Sequence, residues 1–163
     1  MAWGINGTAN TLGSAGDDLD ITDLTAYDFN MFMIHTLATG GSIKHNFTFD
    51  DNNNSDYARG RSYNGAAKSN DTSQTQIEYH GDESADRFEY IFGVNLDGEE
   101  KLNLHFDVTT GGSGAGNAPN RAEAASKVDT STNSGQYTRI DCFNTGGSGD
   151  YDTDSNITCI GTD

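Results

Sequence analysis

Apolar residues recur at every second position through the middle of this chain. Phe88, Tyr90, Phe92, Val94 and Leu96 form one alternating run, and Leu102, Leu104, Phe106 and Val108 form another, set against Lys101, Asn103, His105 and Asp107. A period of two marks strands with one face in a core and the other in water. Asp97-Gly98 separates the two runs. Asp-Gly tolerates the positive φ of a tight reversal, so a hairpin is predicted there, with Tyr90 in the core by parity with its apolar neighbours. Phe29 to Leu37 is apolar on both parities (Phe29, Met31 and Met33 on one, Phe32 and Ile34 on the other), which predicts a strand covered on both faces. Ile43, His45, Phe47 and Phe49 alternate with Lys44, Asn46 and Thr48, which predicts a strand with one wet face.

The remaining segments are weaker. Residues 1–18 are small and polar apart from Trp3, Ile5 and Leu12 and read as an arm or an edge strand; regular structure begins at Leu19-Asp20-Ile21-Thr22. Asp50 to Asp56 is a loop, with Tyr57 re-entering structure. Residues 60–74 read as a long exposed connection, and Gln76 to His80 as a weak strand. Gly111 to Asn120 is a flexible loop holding the single proline, Pro119. Arg121 to Lys127 has the alanines of a helical turn but is too short to stand alone as a helix, so a strand is favoured, with a short helix as the alternative. At the C-terminal end, Ile140-Asp141-Cys142-Phe143 and Ile157-Thr158-Cys159-Ile160 flank a Gly-, Asn- and Asp-rich stretch and predict a closing hairpin. Eight or nine antiparallel strands with little or no helix follow, in a single β-sandwich domain over residues 19–163.

Composition agrees with a thin two-layer core: 163 residues, 33% hydrophobic but 10% aromatic, with 20 glycines. No apolar segment approaches the length of a membrane-spanning helix, and no membrane partner is expected. Met1-Ala2-Trp3-Gly4 lacks the basic and apolar regions of a secretory signal, so an intracellularly made product is expected. The net charge is −16, and nine basic residues cannot build a phosphate-binding face, which argues against nucleic acid. Such acidity keeps a chain soluble and self-repelling. It suits a saline setting, where salt screens the repulsion, and equally an ordinary acidic protein.

Few residues carry chemistry. Cys142 and Cys159 share parity with Ile140 and Ile157 on the two arms of the predicted closing hairpin. They read as small buried hydrophobes or as a cross-strand disulfide, and two cysteines alone make no zinc site. Asp150, Asp152 and Asp154 alternate as calcium ligands do, as do Asp51, Asn53 and Ser55. Ca²⁺ is the only cofactor these patterns suggest, and both also read as solvated turns. His35, His45, His80 and His105 are scattered, without metal-ligand spacing. Neither a serine-nucleophile elbow nor a Walker loop occurs. Sequons at Asn6, Asn46, Asn53, Asn70 and Asn156 are what an Asn- and Thr-rich chain contains by chance. Among seven tyrosines, Tyr137 joins Tyr90 in the core by parity, and Tyr63, in a glycine-rich stretch, is the candidate for stacking on a sugar.

The order of features resembles a family. A buried strand (Phe29 to Leu37) leads to Phe47-Thr48-Phe49-Asp50-Asp51, an asparagine stretch and Tyr57. A polar excursion follows, then a strand pair tipped by Leu96-Asp97-Gly98-Glu99-Glu100-Lys101. The chain closes with Tyr137-Thr138-Arg139-Ile140, Gly146-Gly147, Tyr151, Ser155 and Ile160-Gly161. This is similar to the small jelly-roll virion structural proteins of tailed bacteriophages, many of them marine, found as head decorations, head fibres or tail-associated domains. The chain departs from that family in ending on Ile160-Gly161 rather than an aromatic-glycine pair, and in its heavier acidity. The resemblance implies a jelly-roll sandwich that is not an enzyme and is located in the virion after assembly in the host cytoplasm. It implies contact with major capsid or tail proteins and a homo-oligomer, a trimer among the options. Trp3 and Ile5 on the arm are then the candidate attachment residues. The rival readings are a carbohydrate-binding module, centred on Tyr63, and a small hydrolase, which would need paired carboxylates at fixed separation.

Overall fold

The two alternating runs form the centre of the structure, a computed structural model that describes residues 2–78, 83–111, 114–131 and 134–163. The strands are, in chain order, β1 (Gly4–Ile5), β2 (Asn10–Thr11), β3 (Asp18–Ile21), β4 (Phe29–Thr36), β5 (His45–Phe49), β6 (Tyr57–Tyr63), β7 (Ser69–Gln74), β8 (Ile77–Glu78), β9 (Arg87–Val94), β10 (Lys101–Thr109), β11 (Asn120–Val128), β12 (Ile140–Asn144) and β13 (Asn156–Thr162). Among the described residues no helix occurs. The strands form two antiparallel sheets consistent with a β-sandwich. The larger runs β1-β13-β4-β9-β10-β11-β6-β7, with β2 also on β13, and the smaller runs β3-β12-β5-β8. The sheets meet at both flanks, where β3 touches β13 and β8 touches β6.

Local chemistry explains most of these elements. Gly98 takes φ +75° in the β9–β10 turn, and Lys101 sends its ammonium back onto the turn carbonyls of Leu96 and Glu99 and onto the carbonyl of Ser134, in the segment between β11 and β12. β11 is a full strand, paired residue for residue with β10 from Lys101↔Val128 to Thr109↔Asn120. Its alanines accept the sheet because their neighbours β10 and β6 supply hydrogen bonds that an isolated turn of helix lacks. Residues 60–74 are not a loose connection. They hold the end of β6, a turn with Asn64 and Gly65 at positive φ, and β7.

The closing hairpin does not form. β12 lies in the small sheet between β3 and β5, whereas β13 lies in the large sheet against β4, β1 and β2. The glycine-rich segment between them crosses from one sheet to the other, steadied by Tyr151, which bridges to Gly16 and Ala38. Cys142 and Cys159 both point inward and are buried, but from opposite sheets, and both thiols are free.

The interior has two parts. Under β3, β12 and β4 it is apolar: Leu19, Ile21, Ile140, Phe32, Ile34, Ile157 and the rings of Phe49 and Tyr137, stacked at 4.1 Å. Gly93 is needed here, since a Cβ would come within 2.6 Å of the Tyr137 hydroxyl. Toward β5, β9 and β10 the interior turns polar.

Candidate functional site

On β9 and β10 the faces are reversed relative to the sequence expectation. Leu102, Leu104, Phe106 and Val108 point away from the small sheet, with Leu104 52% exposed, while Lys101, Asn103, His105 and Asp107 are buried. β9 follows suit: Arg87 and Glu89 face inward beside Ile91, and Phe88 is exposed on the other side with Tyr90, Phe92 and Val94 half-buried. Tyr90 is therefore not in the core. It stacks on Phe106 at 5.2 Å on the outer face.

Two close contacts between basic and acidic side chains lie in the polar interior. His45 Nδ1 of β5 meets Glu89 Oε2 of β9 at 2.8 Å, tying the small sheet to the large one, and Arg87 Nε meets Asp107 Oδ2 at 3.3 Å between neighbouring strands. His105 stacks on Phe47 across the interior at 5.0 Å, and its Nε2 lies 2.7 Å from the Ser126 hydroxyl. Asp107 Oδ1 accepts the Ala122 N–H at 2.8 Å. Burial pushes the Asp107 carboxyl up to about 7, although Arg87 opposes the shift. Burial pulls the His105 imidazole down to about 4, against the attraction of Glu89. Burial also disfavours Glu89 ionisation, but the charges of His45, Arg87 and His105 outweigh it and hold that carboxyl below the usual range.

The outer face of the large sheet is the complement of that interior. The ladder registers place Ile5, Ile160, Met31, Phe92, Leu104 and Ala125 side by side, one from each of six adjacent strands. Phe29, Val94 and Leu102 form a row on one side of this line, and Met33, Tyr90 and Phe106 a row on the other. Trp3 sits beside Phe92, ring centroids 6.1 Å apart, and remains 44% exposed. The attachment candidates named from sequence, Trp3 and Ile5, thus belong to a much larger apolar surface. Alternation alone places most of that surface in the core. Beyond it, β11 presents Arg121, Glu123, Ala125 and Lys127 to solvent.

A second feature escaped the sequence reading. Asp20 of β3 and Asp141 of β12 are cross-strand partners on the outer face of the small sheet. They line a groove of about 300 Å³ with Asp18, Asp51 and Arg139. Arg139 bonds Asp141, reaches Asp51 at 2.9 Å and lies 3.5 Å from Asp20. Burial, with the Asp141 charge, lifts Asp20 to about 6. The pair depends on register, which residue spacing does not carry.

The other sequence candidates are dispersed. Asp150 and Asp154 are exposed and Asp152 half-buried. The Asp152 carboxylate accepts the Thr153 N–H at 2.7 Å, and Asp154 has φ +73°. Among the described residues no three His, Cys, Asp or Glu side chains are grouped to hold a metal ion. Asp51, Asn53 and Ser55 are exposed in their loop. Tyr63 is half-buried at the end of β6, donating its hydroxyl to Glu83 Oε1 at 2.9 Å; burial and that carboxylate push it up to about 12. His35 lies on the outer face at the end of β4, and Tyr79 and His80 fall outside the described residues. Asn6 and Asn46 are buried. The Asn6 amide donates to Asn30 Oδ1 at 2.7 Å and to the Thr25 carbonyl at 3.1 Å, fastening the N-terminal segment to the sandwich.

Fold and site together define an all-β sandwich-type domain with a charged interior and an apolar outer sheet face. Comparison with protein-family models, with curated proteins and with solved structures returns no match.

Proposed function

We propose that this chain is a structural component of a virion, of the capsid decoration, cement or head-fibre kind, which assembles by burying the outer face of its large sheet against another protein surface. One observation supports this reading above the others: the line Ile5–Ile160–Met31–Phe92–Leu104–Ala125, with an apolar row on either side, on a chain of net charge −16. Contiguous apolar surface on this scale marks a site of association, because single exposed apolar residues are ordinary but a sheet face of them costs free energy while it stays wet. A shell component needs such a permanent contact and needs no pocket. The acidic remainder disfavours contacts outside that face. Trp3 lies at the edge of the face, where a large ring anchors a contact well.

Purified particles should contain the protein in a fixed, repeated copy number, read by quantitative mass spectrometry. Leu104→Lys, at a half-exposed position, should leave the domain folded and remove it from particles. Absence of the native chain from particles, or full incorporation of the folded variant, would end this reading.

A further inference from the structure

We propose that the outer face of the large sheet is covered by a second copy of the same chain, packed face to face about a two-fold axis. The inference rests on reading that face as an assembly surface and names its occupant. Area is the first support. Across β13, β4, β9 and β10 the face is four strands wide, at about 4.8 Å per strand, and four outward residues long, at about 6.8 Å each. That is on the order of 500 Å² in flat projection and more with side-chain relief, so two copies together remove roughly 1,000 Å² or more, the range of specific interfaces.

Shape is the second support. Antiparallel sheets pack face to face at a spacing of about 10 Å, and a two-fold axis sets the same surface against itself, so two copies present equal twist to each other. Charge is the third. None of the outward residues of β4, β9 and β10 is an Asp or Glu, although the chain holds 25 of them. Two copies that repel everywhere else can meet there. The flanking β11 presents Arg121 and Lys127 together with Glu123, both signs, and does not oppose a copy of itself. A lipid surface is the less suited occupant, since anionic headgroups repel a chain of net charge −16.

The test is sedimentation equilibrium of the full chain beside Leu102→Lys, Leu104→Lys and, as a control with the same charge change on exposed β7, Ser69→Lys. The native chain and Ser69→Lys should be dimers, and the two leucine variants should be monomers with unchanged far-UV spectra and cooperative unfolding at a midpoint only a few degrees lower. Dimer affinity should rise several-fold as salt goes from about 0.01 M to about 0.15 M, because the Debye length shrinks from roughly 30 Å to roughly 8 Å and the repulsion between copies is screened. A monomeric native chain, a trimer, dimers that survive both leucine substitutions, affinity that falls with salt, or flotation with zwitterionic vesicles in place of dimerisation would each overturn the inference. The virion reading fails separately: a dimer that never enters particles removes that reading alone, and a monomer that enters them removes this inference alone.

Discussion

Leu104→Ala and Ile91→Ala make a matched test of the reversed faces. The two residues lie on neighbouring strands, Leu104 outward at 52% exposed and Ile91 inward at 0%. Burying a leucine or isoleucine fully contributes roughly 1.5–3 kcal/mol, so the half of Leu104 already in contact with the sheet accounts for about 1 kcal/mol. Truncation there leaves no cavity, because water takes the space. Ile91 is fully buried in the core beside Phe32 of β4, and its truncation adds a cavity term, for a total of about 2–5 kcal/mol. In a domain of this size about 1 kcal/mol moves the midpoint by roughly 2–4 °C. Urea unfolding should be followed at a concentration where sedimentation shows monomer, so that no interface contributes. Leu104→Ala should cost several-fold less than Ile91→Ala. Equal costs, or a larger cost at Leu104, would mean that the apolar row of β10 faces the core after all and that the large sheet has no apolar outer face.

Three further outcomes follow from the interior. Asp107 has a folded pKa of about 7 against 3.8 for an ordinary aspartate, so the folded state holds its proton more tightly than the unfolded chain. The penalty of ionising it is absent below about pH 4 and complete above about pH 7, so the native protein should lose on the order of a few kcal/mol relative to Asp107→Asn across that window. A stability difference that stays flat from pH 4 to pH 8 refutes this. His45→Leu should cost about 3–5 kcal/mol by leaving the Glu89 carboxylate buried without its cross-sheet partner, and adding Glu89→Leu should recover much of the loss. A single-variant cost below about 1 kcal/mol would show that the pair does not join the sheets. Both thiols should resist maleimide until the chain unfolds, and reductant should leave the melting curve unchanged; an intact mass lower by two hydrogens would instead reveal a disulfide.

Local pattern alone determined a good deal of this protein. Period-two runs placed β5, β9 and β10, a run apolar on both parities placed β4, Asp97-Gly98 placed the turn between β9 and β10, and the absence of any sustained helical period placed the chain among all-β sandwiches. Trp3 and Ile5 stood out because an apolar pair in a polar arm needs a cover. Orientation was not determined. Alternation says that a strand has two unlike faces, but which face meets the second sheet depends on partners remote in sequence. Glu89 can be buried because His45 waits on the opposite sheet, and Asp107 because Arg87 lies on the next strand. Turn signals were equally silent on destination: glycine, asparagine and aspartate permit a reversal, but they do not say whether the chain returns along its own sheet or crosses to the other, as it does between Cys142 and Cys159. Register likewise made the pair Asp20–Asp141 and the six-strand line through Leu104, since residues come into line across a sheet only once every ladder is in place.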